Sequence, residues 1–335
     1  MTLPTRNLGS LTVSAIGLGC MNICHAYGTP PSEEDAGKLL NRALDLGVTF
    51  LDTAAIYGLG QSERLIQRYV MHRKSEFVLA SKCVMDSPDG KTRVLEGSPD
   101  AIAATLDRAL ERLQTDHIDL YYLHRPDRNV PIEESVGALA RAVEAGKIGA
   151  IGLSEMGAGL IRRAHAVHPI AAVQSEYSPM VRNPEVAVLD ACRELGIGFV
   201  AFSPVARGML ARAVADDQWE KYDIRATMPR FNGGNLLHNL EVVAKFEALA
   251  AEAGCTPAQL ALAWVLAQGD DIVPIPGTRS IAHLEEDVAA ATVSVRGDVL
   301  EAAATLFDGT IRGARYAAFA QATVDTELLP DEELA

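Results

Sequence analysis

The chain has 335 residues, 48% of them apolar and 22% charged, with 30 basic against 44 acidic side chains for a net charge of −14. This composition excludes a disordered polymer and works against nonspecific attraction to nucleic acid or an anionic membrane, so an anionic ligand must be met by locally gathered positive charge. Length alone permits two domains of roughly 100 to 200 residues or one α/β barrel.

Near the N-terminus, Leu11 to Cys20 is apolar but interrupted by Ser14, Gly17 and Gly19, lacks a cationic run, and reads as a strand rather than a targeting signal. No window approaches the roughly 18 uninterrupted apolar residues of a membrane span. The five cysteines (Cys20, Cys24, Cys83, Cys192 and Cys255) are odd in number and contain no Cys-x-x-C pair, which points to a reducing cytoplasm.

Strands are expected, in chain order, at Ile16–Gly19, Thr49–Asp52, Phe77–Lys82, Ile118–His124, Ala150–Ser154, Ala172–Ser175, Gly198–Ser203 and Ile272–Ile275. Helical periodicity fills the intervals. Ser32 caps a helix to Leu46 with three acidic residues in its first turn, Ser98-Pro99-Asp100 starts one running to about Leu113, and Ile132 to Ala145 stops at Gly146. Further helices are expected at Asn239–Gly254, Pro257–Gln268 and Asp298–Phe307, with long loops at Met85–Gly97 and Ala211–Asn235.

Eight β/α units predict a closed (β/α)₈ barrel, one domain over residues 1–335 with inserted and C-terminal extra helices. A doubly wound dinucleotide fold would carry Gly-x-Gly-x-x-Gly after its first strand; here Asn22 stands in place of the third glycine. Asp89-Gly90-Lys91-Thr92 ends like a phosphate loop, but Met85 occupies the place of its first glycine. His165 and His168 lack a third ligand, so no metal site is expected.

Catalytic groups of a barrel sit at the carboxyl ends of its strands. Three consecutive strands end at Asp52, Lys82 and His124, and Tyr57 lies in the loop above Asp52. A phenol is a weak acid, with a pKa of about 10, and a neighbouring ammonium lowers it. Lys82 can supply that charge, Asp52 can hold Lys82, and His124 can hydrogen-bond a substrate oxygen or share its proton. Such a group protonates a developing alkoxide, as carbonyl reduction requires, and the hydride must come from a cofactor.

The stretches Phe50-Leu51-Asp52-Thr53-Ala54-Ala55-Ile56-Tyr57-Gly58, Ala80-Ser81-Lys82 and Ile118-Asp119-Leu120-Tyr121-Tyr122-Leu123-His124 resemble the aldo-keto reductase superfamily. So do Ile151-Gly152-Leu153-Ser154, Val173-Gln174-Ser175-Glu176-Tyr177-Ser178, Ala201-Phe202-Ser203-Pro204 and Pro274-Ile275-Pro276-Gly277-Thr278-Arg279, in order over almost the whole chain. The resemblance implies an NADPH-dependent (β/α)₈ enzyme reducing a small aldehyde or ketone, with Tyr57 as general acid, Lys82 and Asp52 tuning it, and His124 orienting the carbonyl. It also implies that Ser154, Glu155 and Gln174 hold the nicotinamide carboxamide and that Phe202 stacks on the ring. Met21 and Asp52 contact the cofactor in the same reading. The segment Ser203, Pro204, Val205, Arg207, Gly208 to Leu210 wraps the pyrophosphate, where barrels tend to bind phosphate. Gly277, Thr278 and Arg279 lie at the 2′-phosphate, which favours NADPH over NADH. Around the adenine the chain departs from the family, with His283 where Arg or Gln is common and Glu286-Asp287 where Glu-Asn is. Met21, Asn22, His25, Tyr57 and the Met85–Gly97 loop are expected to wall the substrate pocket. Two rival readings are a noncatalytic NADPH-binding regulatory subunit of the same fold and a metal-dependent barrel hydrolase or isomerase. Oligomeric state is not legible.

Overall fold

A computed structural model describes residues 3–89 and 91–335. The chain opens with an antiparallel hairpin, β1 (Thr5–Leu8) and β2 (Leu11–Ser14). The expected single strand from Leu11 to Cys20 is therefore corrected. The chain leaves β2 at Ser14, whose hydroxyl donates to the Ile16 carbonyl and whose amide donates to Thr49 Oγ1, and resumes as β3 (Leu18–Gly19). Leu8 and Val13 of the hairpin join the apolar cluster that fills the barrel interior, so this segment plugs one end of the barrel.

The barrel continues with β4 (Phe50–Asp52) and β5 (Val78–Cys83). A short hairpin, β6 (Met85–Asp86) with β7 (Val94–Leu95), then rises from the Met85–Gly97 segment, whose Gly90 lies outside the described residues. The remaining strands are β8 (Ile118–Leu123), β9 (Ile148–Ser154), β10 (Ile170–Glu176), β11 (Gly198–Phe202) and β12 (Ile272–Ile275). Hydrogen bonding joins β3, β4, β5, β8, β9, β10, β11 and β12 in that order, all parallel. The two ends meet where the Gly17 and Gly19 amides donate to the Pro274 and Pro276 carbonyls, each at 3.0 Å. Glycine is needed at this seam, because a Cβ on Gly19 would sit 2.9 Å from the Ile275 carbonyl oxygen.

The outer layer comprises α1 (Glu33–Asp45), α2 (Gln61–Val70), α3 (Pro99–Leu113), α4 (Ile132–Glu144), α5 (Ala158–Val167), α6 (Val188–Leu195), α7 (Gly233–Glu252), α8 (Pro257–Ala267), α9 (Ile281–Ala289), α10 (Gly297–Thr305) and α11 (Ala318–Gln321). Ser32 and Ser98 cap α1 and α3 by accepting the amides of Asp35 and Ala101. Helix α7 starts at Gly233, six residues before the expected Asn239, so the preceding loop is shorter than the sequence implied. Gly233-Gly234 carries no apolar period, but Asn239 ties this region down by donating to the Arg230 and Arg312 carbonyls. Among the described residues no single helix is long and apolar enough to cross a membrane; α7 and α8 meet that criterion only when joined across an 83° bend.

Strand alternation positions the site. Side chains two apart share a face. Phe50, Ala80, Leu120, Tyr122, Ala150, Ala172 and Val200 pack inside the barrel, whereas Leu51, Leu79, Tyr121, Leu123 and Val173 pack outward under the helices. Continuing the inward parity to the strand ends brings Asp52, Lys82, His124, Ser154, Gln174 and Phe202 to one mouth. Cys83, of opposite parity, is buried in the outer layer, as its alternation from Lys82 predicts.

Candidate active site

Lys82 and Asp52 are buried at the mouth, 0% and 1% exposed. Lys82 Nζ donates to Asp52 Oδ1, to the Thr53 carbonyl at 2.9 Å and to Tyr57 Oη at 3.4 Å. The other Asp52 oxygen accepts Gln174 Nε2 at 2.8 Å. Half-buried Tyr57 meets His124 edge-on with ring centroids 5.8 Å apart and His25 at 5.7 Å. The four residues picked out by strand ends and spacing thus converge.

Their electrostatics differ from the expectation in one respect. Burial raises the Tyr57 pKa above the ordinary phenol value; Lys82 acts downward as expected, but desolvation outweighs it and Asp52 adds to the rise. Tyr57 therefore holds its proton at neutral pH. Burial pulls the Lys82 ammonium down, yet Asp52 and Tyr57 together keep its pKa above the ordinary lysine value. Burial lifts Asp52, opposed by Lys82 and Gln174. His124 is held well below the usual histidine range by burial and by the charges of Arg125 and Lys82, so it is a neutral imidazole. Its Nδ1 is buried without a partner among the described residues, which leaves hydrogen-bonding capacity uncommitted to the protein.

Of the expected cofactor residues, Ser154 and Gln174 lie buried beside this group, while Met21 and Phe202 are half-buried at its rim. The segment after β11 has left-handed backbone at Ser203 (φ 49°), Ala206 (48°), Arg207 (55°) and Gly208 (90°). Pro204 and Leu210 are buried and Val205 is partly so, which leaves the segment's backbone rather than these side chains to face a ligand. Gly277 fits a tight cradle, since a Cβ there would lie 2.8 Å from the Gly19 carbonyl oxygen. Thr278 Oγ1 accepts the Ser280 amide at 3.1 Å, and Ser280 caps α9. Arg279, just before that helix, is exposed and donates to the Thr29 carbonyl at 2.5 Å. Farther along α9, His283 is exposed and Glu286 half-buried, and burial lifts the Asp287 carboxyl to about 8, with the charge of Glu286 adding.

Two side chains are engaged elsewhere. Arg207 donates to Glu176 at 2.8 Å and to Tyr316 Oη at 3.2 Å. Glu155 accepts from both terminal nitrogens of Arg315, at 3.4 and 3.2 Å, and from Thr326. All four groups of this chain of charges, Glu155, Arg315, Glu176 and Arg207, are buried, and it ties the C-terminal segment to the mouth. Sequence reading missed Arg315 and Tyr316, for which no local motif gives a signal. It also missed Arg125, which adjoins His124 and donates to Ser154 Oγ at 3.3 Å.

The remaining motifs have local uses. Asp89 accepts the Lys91 and Thr92 amides in a tight turn, which draws its pKa down to about 2. His165 Nδ1 accepts the Ile170 amide at 3.2 Å. Among the described residues no three His, Cys, Asp or Glu side chains gather as a metal-ligand set.

The model of the Aldo/keto reductase family matches residues 15–303. "Aldo-keto reductase yakc [NADP(+)]" of Schizosaccharomyces pombe is 45% identical over 324 residues, covering 94% of this chain and 95% of that protein. "Aldo-keto reductase str7" of Strobilurus tenacellus is 40% identical, covering 98% and 100%. Among solved structures, the glycerol dehydrogenase AKR11B4 of Gluconobacter oxydans superposes with a TM-score of 0.82 at 25% identity over 92% of this chain and 96% of that one. By the family match over most of its length and by the identity it shares with curated members, the chain belongs to the aldo/keto reductase family.

Proposed function

We propose that this protein, as one barrel domain, reduces the carbonyl of a small aldehyde or ketone with NADPH, and that Tyr57 delivers the proton. The observation that carries the reading is the buried Asp52–Lys82 pair reaching the hydroxyl of half-buried Tyr57 beside a neutral His124. The naming of the S. pombe relative for NADP(+) supports the cofactor assignment.

The donor set suits a phosphorylated dinucleotide. A left-handed loop, a glycine cradle, a helix N-terminus and an exposed arginine lie on the rims of β3, β11 and β12, and helix N-termini and arginines both favour phosphate. In this reading Ser154 and Gln174 hold the nicotinamide end with Phe202 against the ring, and residues 203–210 take the pyrophosphate through their backbone. Glu155 and Arg207 act as anchors for the segments around them. Arg279 takes the 2′-phosphate, and His283, Glu286 and Asp287 lie toward the adenine.

Bound NADPH supplies the hydride. The protein's own contribution is the proton. Neutral His124 donates a hydrogen bond to the carbonyl oxygen and so orients it toward Tyr57. As negative charge develops on that oxygen, Tyr57 Oη passes its proton across, and the charge of Lys82 stabilises the phenolate left behind. Asp52 keeps Lys82 charged and aimed. A cytoplasmic location is proposed on the cysteine count alone.

Turnover of an aldehyde panel, followed by loss of NADPH absorbance, tests the reading, and binding of NADPH without turnover of any member would favour the regulatory alternative. A finer test concerns Arg279. Its contact is remote from the chemistry and is made alike in ground and transition states, so it governs affinity rather than turnover at saturation. A hydrogen bond to a charged group contributes about 1.5 to 3 kcal/mol, so Arg279→Met should weaken NADPH binding by roughly 10- to 150-fold. NADH, which lacks the 2′-phosphate, should lose little. Fluorescence titration of both cofactors checks this, and equal losses would remove Arg279 from the 2′-phosphate site.

A further inference from the structure

We infer that Tyr122 is a positioning residue for the reduction, its ring giving the Lys82 ammonium a π face that holds it in place beside Tyr57; this rests on the reductase reading above. Register puts Tyr122 of β8 directly beside Lys82 of β5, with Gly152 of β9 on its other side, and the ring turns into the barrel. A Cβ on Gly152 would sit 2.3 Å from that ring, so the missing side chain is what gives the ring its place. The ring is fully buried, and Lys82 Nζ lies over it at 5.7 Å from the centroid and over the Tyr57 ring at 5.0 Å. An ammonium within about 6 Å of a ring centroid is attracted by the negative face, and more strongly where water is excluded.

An ammonium has three N–H donors. Lys82 directs its own to Asp52, the Thr53 carbonyl and Tyr57 Oη, so among the described residues its hydrogen bonds tie it to one segment alone, β4 and the loop that follows. Tyr122 supplies the contact from β8. Charge offers little more. The titratable groups around Lys82 and Tyr57 are Asp52, Cys20 after β3, His25, Tyr122, His124 and Arg125. Burial raises the Cys20 thiol and the Tyr122 phenol, with Asp52 adding to each, so both keep their protons. His25, pulled down to about 4 by burial and by Arg93, and His124 are neutral imidazoles, which leaves Asp52 as the single anion of the set. A residue that merely filled the barrel would serve with any apolar side chain of that size; the ring counts only if its face does. The Tyr122 hydroxyl is buried without a partner among the described residues, so Tyr122→Phe breaks no hydrogen bond and isolates the ring.

The test grades the ring at nearly constant shape. Tyr122→Phe is the reference, and its mono-, di- and trifluorinated phenylalanine counterparts at the same position drain negative charge from the π face step by step. Single-turnover reduction of an accepted aldehyde is followed after rapid mixing into buffers of rising pH, with NADPH affinity titrated beside it. A less negative face favours the charged ammonium less, so the basic limb of the rate, which belongs to the coupled Lys82–Tyr57 pair, should step downward with each fluorine. The whole series should span about 0.4 to 1.5 pH units, with NADPH affinity held within a few-fold. The direction is opposite to that expected when the cation itself is removed by Lys82→Met. A limb that stays in place or moves up across the series overturns the inference. So does a limb displaced by the same amount whatever the number of fluorines, which is the mark of packing. An NADPH affinity that falls with fluorination while the limb stays overturns it too and places Tyr122 on the cofactor side. Wild-type protein that reduces no member of the aldehyde panel removes the reductase reading and this inference with it, whereas turnover with an unmoved limb rejects the inference alone.

Discussion

Replacing Tyr57 by Phe is expected to lower carbonyl reduction by roughly 10²- to 10⁴-fold, the range for a positioned general acid, with NADPH affinity held within a few-fold. The ring, its edge contact with His124 and its packing on His25 survive the change; only the hydroxyl that Lys82 reaches at 3.4 Å is lost. Because Tyr57 is held above the ordinary phenol pKa, its proton is present throughout the neutral range, and the loss should be much the same from pH 6 to 8. Single-turnover rates beside cofactor titrations separate the two effects. A variant that keeps more than a tenth of wild-type turnover would show that the proton comes from elsewhere.

Lys82→Met should act on both rate and stability. The rate falls because the phenolate formed at Tyr57 loses its cation. Burial lifts the Tyr57 pKa and Lys82 opposes that lift, so removing the charge should move the basic limb of the pH–rate profile still higher. A limb that stays in place or moves down contradicts the role given to Lys82. The stability loss arises because Asp52, 1% exposed, keeps only Gln174 as a side-chain partner among the described residues. Removing one member of a buried ion pair costs about 3 to 5 kcal/mol. The sign with pH follows from linkage. A carboxyl raised in the folded state binds its proton more readily there than in the unfolded chain, so stability rises as pH falls from the raised value toward the ordinary carboxylate range. Denaturant melts at pH 7 and near pH 4 should therefore show the variant recovering part of its deficit in acid.

What could be read from the sequence was what short-range periodicity controls. Alternation along three strands was enough to put Asp52, Lys82 and His124 at one mouth, and the five-residue step from Asp52 carried Tyr57 above them. The eight barrel strands were found, with no end displaced by more than two residues. The N-terminal hairpin was not, because the apolar run from Leu11 conceals the break at Ser14, which depends on a hydrogen bond to Thr49 35 positions away. The early start of α7 was hidden by its paired glycines and depends on contacts made by Asn239. The engagement of Glu155 by Arg315 spans 160 positions and has no local signature. The pKa of Tyr57 shows the same limit: the neighbouring charge was visible in the spacing, but the burial that outweighs it is a property of the closed mouth.

Transfer of hydride from NADPH to carbon, with Tyr57 as proton donor, is the step on which the proposed activity depends most. The most direct measurement is reduction of an accepted aldehyde with NADPH deuterated at the transferable nicotinamide position, with mass analysis of the alcohol. One alcohol per NADPH consumed is expected, with deuterium on the carbinol carbon and both signals lost together in Tyr57→Phe. NADPH consumed without deuterated alcohol, or deuterium transferred at an undiminished rate by Tyr57→Phe, would contradict the proposed activity.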